Sequence, residues 1–319
     1  MRKMYIQKSL GVKEGYWEGI WSSSSIEDAV RFCEYDPLRR VFERYFPRSG
    51  KILEGGCGLG QYVIYYKRLG YDIQGIDFAT DTIKRILEYD PTIPVSVGDV
   101  EHLNYPDNYF DVYYSGGVIE HFEEGPFNAL QEAYRVLKPD GILILTVPYI
   151  NLTRKTEDFL LKLHGKSGKE WETKGERLGY TLSPKYEIEN SPFKGLEFFQ
   201  YLHRKKEIMD VVQKAGFEVI SHKGLSIQWG LRDFAIFKWL NDRIGSRRYQ
   251  SSEIKTLSGE KSSSMHKFVE ISSWKRFMKR LIVEEDERVV MFKPILSVLQ
   301  RTCANLLLLI CKVDKGGSL

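Results

Sequence analysis

Cysteine is scarce in this chain: Cys33, Cys57, Cys303 and Cys311 are the four in 319 residues, and no two form a CxxC pair. That excludes a dense secreted disulfide scaffold and fits a reducing cytosol. Long apolar runs are missing as well. The longest, Leu306 to Ile310, is far too short to cross a bilayer. The opening MRKMYIQKSL carries no apolar core of the signal-peptide kind, so a cytoplasmic protein is expected, with the Asn151-Leu152-Thr153 sequon unmodified. No internal repeat is visible, and no appended RNA-binding module can be recognised.

What is present suits a folded enzyme-sized chain. Hydrophobic residues make up 42% and charged residues 28%, enough for a substantial core without disulfides. The net charge of +4 is unevenly spread. From Lys223 to Leu319 there are 18 Lys and Arg against 10 Asp and Glu, so the tail favours an anionic partner while the rest is slightly acidic.

Residues 1 to 50 read as a helical, aromatic cap. Tyr16, Trp17 and Trp21 come first, then a helix from Ile26 to Phe46 broken at Asp36-Pro37, and a turn at Pro47 to Gly50. From Lys51 short apolar strands alternate with amphipathic helices. Strands are expected at Lys51 to Glu54, Asp72 to Asp77, Val95 to Gly98, Phe110 to Ser115 and Ile142 to Val147. Helices are expected at Gly60 to Leu69, Asp81 to Tyr89 and Pro126 to Leu137. Such a series predicts an α/β fold with a parallel sheet covered on both faces. Two insertions interrupt it, at about 149–204 and 222–302, around a helix ending at Gly216 and a strand from Phe217 to Ser221. Asn305 to Val313 reads as the last strand.

The first strand runs into ILEGGCGLGQY, with Gly55, Gly56, Gly58 and Gly60. Glycines serve where the backbone takes positive φ or a ligand approaches the main chain. The spacing is GxGxG, not GxGxxG, and no Gly-Lys-Ser/Thr follows, so diphosphate cradling is not favoured. Acidic groups surround the loop instead: Glu54 before it, Asp77 ending the second strand and Asp99 ending the third. Carboxylates without Lys or Arg suit a cationic or zwitterionic nucleoside.

Together with FDVYYSGGVIEHF, YRVLKPDG, ILILTVP and AGFEVI, these segments resemble the class I S-adenosylmethionine-dependent methyltransferases of small-molecule type. The resemblance implies a Rossmann-like seven-stranded sheet in the order 3-2-1-4-5-7-6, the seventh strand antiparallel. It implies S-adenosylmethionine as cofactor, with S-adenosylhomocysteine as product. Glu54, Gly56, Cys57, Gly58 and Gly60 would then face the methionine part, Asp77 and Phe78 the ribose side, and Asp99 and Val100 the adenine. Ser115 and Gly116 would offer main-chain groups to the methionyl end.

Glu120 and His121 follow the fourth strand, at the edge where doubly wound sheets bind ligands, and are the candidate catalytic pair. His121 is either a general base or a turn that walls the methionine site. Relatives that use a divalent ion carry Glu-x-x-Glu-His. Here Gly117 stands in the first position, which disfavours a metal.

For the acceptor, the aromatic groups Tyr16, Trp17, Trp21, Tyr149, Phe198, Phe199 and Tyr201 either wall a flat or apolar molecule or belong to the core. Residues Ser273 to Ile282 form an amphipathic basic segment, read either as packed on its own domain or as lying on an anionic membrane or lipid carrier. Methyl transfer to a small molecule (a sugar, lipid-linked compound or secondary metabolite, at O, N or C) is the leading expectation. An RNA or protein methyltransferase, or a non-catalytic S-adenosylmethionine binder, stands behind it. Nucleic acid is not the favoured partner.

Overall fold

The computed structural model describes residues 2–7, 14–156, 179–181, 196–227, 285 and 293–315. The chain begins with β1 (Arg2–Gln7), α1 (Glu14–Ser22), α2 (Ile26–Phe32) and α3 (Leu38–Tyr45). Next come β2 (Lys51–Gly55), α4 (Gln61–Arg68), β3 (Asp72–Asp77), α5 (Thr80–Tyr89), β4 (Val95–Val97) and β5 (Phe110–Gly116). A single 3-10 turn (Ile119–His121) leads to α6 (Phe127–Val136) and β6 (Leu137–Pro148). Then follow β7 (Gly179–Thr181), β8 (Leu196–Leu202), α7 (Lys205–Lys214), β9 (Phe217–Leu225), α8 (Lys293–Thr302) and β10 (Leu306–Val313).

Seven strands pair in the order β4-β3-β2-β5-β6-β10-β9. Counted from β2, this is the expected 3-2-1-4-5-7-6, and β10 lies antiparallel to both neighbours. Side chains alternate between two cores. Leu53, Tyr113, Leu143 and Leu145 pack with α6 and α7 on one face. Ile52, Val112, Tyr114 and Ile144 pack with α2 to α5 on the other. Burial of both faces explains why these strands read as nearly continuous apolar runs.

Local chemistry sets the helix limits. Pro37 cannot continue α2, and Asp36 accepts the Leu38 N–H at 2.7 Å, so the break expected at Asp36-Pro37 leaves two short helices. Gly216 follows α7 at φ +99°, the left-handed stop expected there. The Lys138 to Gly141 turn is absorbed into the start of β6 as an irregularity, with Phe110 facing Leu137 and Val112 already facing Ile142.

A second, three-stranded sheet has the order β7-β1-β8. The sequence reading has no strand in residues 1 to 50, because the partners of Arg2–Gln7 lie far along the chain and no local hairpin signal marks them. The N-terminal cap and the first insertion are thus joined by backbone pairing. Most of the second insertion, including the Ser251 to Ser264 stretch and the amphipathic segment Ser273 to Ile282, lies outside the described residues. Among the described residues no helix is long and apolar enough to cross a membrane.

Candidate active site

Because β2, β3, β4, β5 and β6 are parallel, their carboxyl ends share one edge. The strand order reverses between β2 and β5, so the glycine loop and Ser115-Gly116 flank the switch point where such sheets bind ligands.

Gly56, Gly58 and Gly60 have φ of +75°, +50° and +66°, values that cost any other residue about 1–2 kcal/mol each. The loop is tied down from β3. The Ile76 carbonyl accepts both the Gly56 and Cys57 N–H groups, at 2.8 and 2.9 Å. Asp77 accepts the Gly58 N–H at 2.7 Å through Oδ2 and the Ala79 N–H at 2.9 Å through Oδ1. Burial raises the Asp77 pKa, and these backbone hydrogen bonds oppose the rise. The Cys57 side chain is buried, its Sγ within 3.0 Å of where a Gly75 Cβ would stand, so only its backbone is available to a ligand.

Glu54 is 3% exposed and its Oε2 has no hydrogen-bond partner. Burial, then the nearby Asp77, pushes its pKa well up, while the Val63 N–H in the first turn of α4 lowers it. Ser115 Oγ is likewise buried and unpartnered. Two orphaned buried acceptors beside a left-handed glycine loop fit a ligand that brings an ammonium or other donors. At the far side Phe78 is exposed beside Asp77, and Val100 is buried. Asp99 is exposed, accepting the Glu101 N–H at 2.9 Å and facing His102 Nδ1 at 3.3 Å.

Glu120 and His121, adjacent in sequence, have different surroundings. Glu120 is 2% exposed, with Oε2 unpartnered, and burial raises its pKa to about 8. His121 is half-buried in an aromatic cage. Its ring centroid lies 4.9 Å from Trp17 and 5.0 Å from Phe199, and Nδ1 sits 2.7 Å from the Phe199 carbonyl oxygen. A carbonyl only accepts, so Nδ1 carries the hydrogen and the neutral ring keeps its lone pair on Nε2. Burial lowers the His121 pKa to about 4. Gly117, at φ +72°, holds the backbone where a glutamate would be strained. Among the described residues no group of three or more His, Cys, Asp or Glu could hold a metal ion.

The expected aromatic wall divides. Trp17 stacks on Trp21 at 6.0 Å and on Phe199 at 6.3 Å. Trp21 in turn overlies the glycine loop, 3.0 Å from where a Gly58 Cβ would be. Tyr201 instead donates to the Glu123 carbonyl at 2.8 Å, and Tyr149 donates to Gln300 at 3.3 Å, so both are structural. Asn151 is buried, donating to the Ala304 carbonyl at 3.0 Å, which closes the sequon to modification in the folded chain.

Two contacts escape sequence reasoning. Arg85 of α5 donates to the Trp21 and Ser24 carbonyls, both at 2.6 Å. Glu18 accepts the Asp81 N–H at 3.2 Å, in the first turn of a helix whose N-cap, Ala79, has no side-chain acceptor. Neither residue belongs to a motif that the sequence displays.

Strand order, glycine loop and acidic partners define a class I methyltransferase fold, and residues 53–145 match the family described as a methyltransferase domain. This chain thus carries, over residues 53–145, a methyltransferase domain of the class I S-adenosylmethionine-dependent type. It is 29% identical over 136 residues to phosphoethanolamine N-methyltransferase 3 of Arabidopsis thaliana, covering 41% of this chain and 26% of that protein. It is 27% identical over 93 residues to the malonyl-[acyl-carrier protein] O-methyltransferase of Pectobacterium atrosepticum, covering 29% of this chain and 36% of that one. The chain therefore spans well under half the length of these two relatives. A longer match, 29% identical over 235 residues, is to an uncharacterized protein of Methanocaldococcus jannaschii and covers 73% of this chain and 86% of that protein.

Proposed function

We propose that this chain transfers the methyl group of S-adenosylmethionine to a hydroxyl or amine of a small molecule held between Trp17, His121 and Phe199. One observation carries the reading: a continuous row of side chains runs from the glycine loop, through Trp21 and Trp17, to a histidine whose tautomer is fixed.

The cofactor supplies an electrophilic methyl on a sulfonium, and the chain supplies alignment and exclusion of water. Glu54 Oε2 and the main chain of Gly56 and Gly58 would hold the methionine part, and Asp77 the ribose. Trp17 and Phe199 offer flat apolar faces to the acceptor. His121 Nε2 takes the acceptor's proton as it attacks. One relative is named for N-methylation and another for O-methylation, which supports either kind of acceptor here, chosen by what Trp17 and Phe199 admit. An anionic acceptor or carrier engaged by the basic tail is compatible with the charge of residues 223–319.

The test is transfer of labelled methyl from S-adenosylmethionine to a metabolite extract, with bulk RNA and bulk protein in parallel. Label in the small-molecule fraction supports the reading. Label confined to RNA or protein replaces the acceptor class, and cofactor binding without transfer to any fraction points to a non-catalytic binder.

A further inference from the structure

Helix α1 reaches both halves of the proposed site. Trp17 and Trp21, four residues apart, lie on one face of it, as helical spacing requires. Trp21 covers Gly58 on the cofactor side, and Trp17 meets His121 on the acceptor side. The position of α1 therefore bears on both ligands at once.

What fixes that position is a residue outside every motif. Arg85 is partly buried on α5, and its guanidinium spans the end of α1, with Nη1 on the Trp21 carbonyl and Nη2 on the Ser24 carbonyl. Carbonyls at a helix C-terminus carry partial negative charge, so a cation is favoured there, and the Trp21 carbonyl accepts Arg85 alongside the Ser24 N–H at 3.1 Å. A planar fork can reach two carbonyls together, whereas an ammonium is a single point charge. Glu18 adds a second tie in the opposite sense, from α1 to the N-terminal turn of α5. α5 itself begins just after Asp77, which grips the Gly58 and Ala79 N–H groups. Cofactor loop, α5 and α1 thus form one mechanical unit.

We infer that Arg85 is a positioning residue that sets cofactor affinity by clamping α1 over the glycine loop, an inference that rests on the S-adenosylmethionine reading of that loop. Through the shared helix, the clamp couples the cofactor side to the acceptor side.

The experiment is calorimetry of the full chain with S-adenosylhomocysteine, alongside thermal unfolding and tryptophan emission. Wild type, Arg85→Ala, Arg85→Lys and Arg68→Ala are compared. Arg68 is the control, because it donates to Tyr89, which bonds Glu27 of α2 and leaves α1 untouched. The expected result is about tenfold weaker binding for Arg85→Ala, an intermediate value for Arg85→Lys, and no change for Arg68→Ala. Emission should shift to the red in Arg85→Ala alone, as Trp21 leaves the loop. If Arg85→Ala does not fold, Arg85→Lys carries the comparison. Wild-type binding that Arg85→Ala or Arg85→Lys matches within about twofold overturns the clamp, as does an equal loss in Arg68→Ala. Absence of binding by wild type overturns the cofactor reading itself.

Discussion

The His121 ring and the Phe199 backbone, 78 residues apart in sequence, are joined by a 2.7 Å hydrogen bond from Nδ1 to the carbonyl oxygen. This single contact turns an ambiguous Glu-His pair into an oriented group, because it commits one ring nitrogen to donation and leaves the other as an acceptor. It also joins the two sheets: β8, paired with β1, supplies the carbonyl, while the turn after β5 supplies the ring.

The pH profile follows from that burial. With its pKa lowered to about 4, His121 is neutral and base-competent throughout the physiological range. The acid limb of kcat/KM should therefore fall near pH 4 to 5 and be flat around 6.5. His121→Asn keeps a donor for the Phe199 carbonyl but has no basic nitrogen, and should lose about 100-fold or more in kcat. Retained activity in His121→Asn would reduce His121 to a wall.

Glu120 titrates in the opposite direction. Its folded pKa is raised from 4.5 to about 8, so between those values the folded state holds a proton that the unfolded state has lost. Stability should then decline as pH rises through this window. Glu120→Gln keeps the shape, removes the titration, and should flatten that part of the thermal-unfolding profile between pH 5 and 8. An unchanged slope would show that Glu120 is ionised in the fold.

Asp77 receives one backbone N–H on each oxygen. In Asp77→Asn one of the two must face an amide NH2 instead, which strands a buried donor at a cost of about 1–3 kcal/mol. Both the unfolding temperature and S-adenosylhomocysteine affinity should drop, affinity by about tenfold or more. Loss of stability with unaltered affinity would confine Asp77 to holding the loop.

Gly58→Ala meets two penalties, a left-handed φ and the Trp21 ring 3.0 Å from the new methyl. The expected outcome is weaker cofactor binding with a changed tryptophan signal. Gly70 is the matched control, left-handed at φ +84° with nothing within 4 Å of a Cβ, so Gly70→Ala should cost stability alone.

The sheet was legible because its signals are local. Apolar runs of strand length, Pro37, Gly216 and the three left-handed glycines each act within a few residues of where they stand. The small sheet was not, since Arg2–Gln7 finds partners only at Gly179–Thr181 and Leu196–Leu202. The candidate cofactor residues follow from the loop and the strand ends, and the structure gathers Glu54, Asp77 and Ser115 at one edge. Glu120 is buried, while the adjacent His121 is half-buried against Trp17 and Phe199. Sequence adjacency carries no information on such differences in burial. Arg85 and Glu18 stayed hidden because a charged residue on a helix face looks the same whether it meets water or a neighbouring helix.

The central claim is that the edge formed by the glycine loop, Asp77 and Glu54 binds S-adenosylmethionine, and calorimetry with S-adenosylhomocysteine and with NAD tests it most directly. The account predicts one site per chain for S-adenosylhomocysteine, weakened by Asp77→Asn, and no heat with NAD. Binding of NAD without S-adenosylhomocysteine, or S-adenosylhomocysteine binding that Asp77→Asn and Gly58→Ala both leave intact, would contradict it.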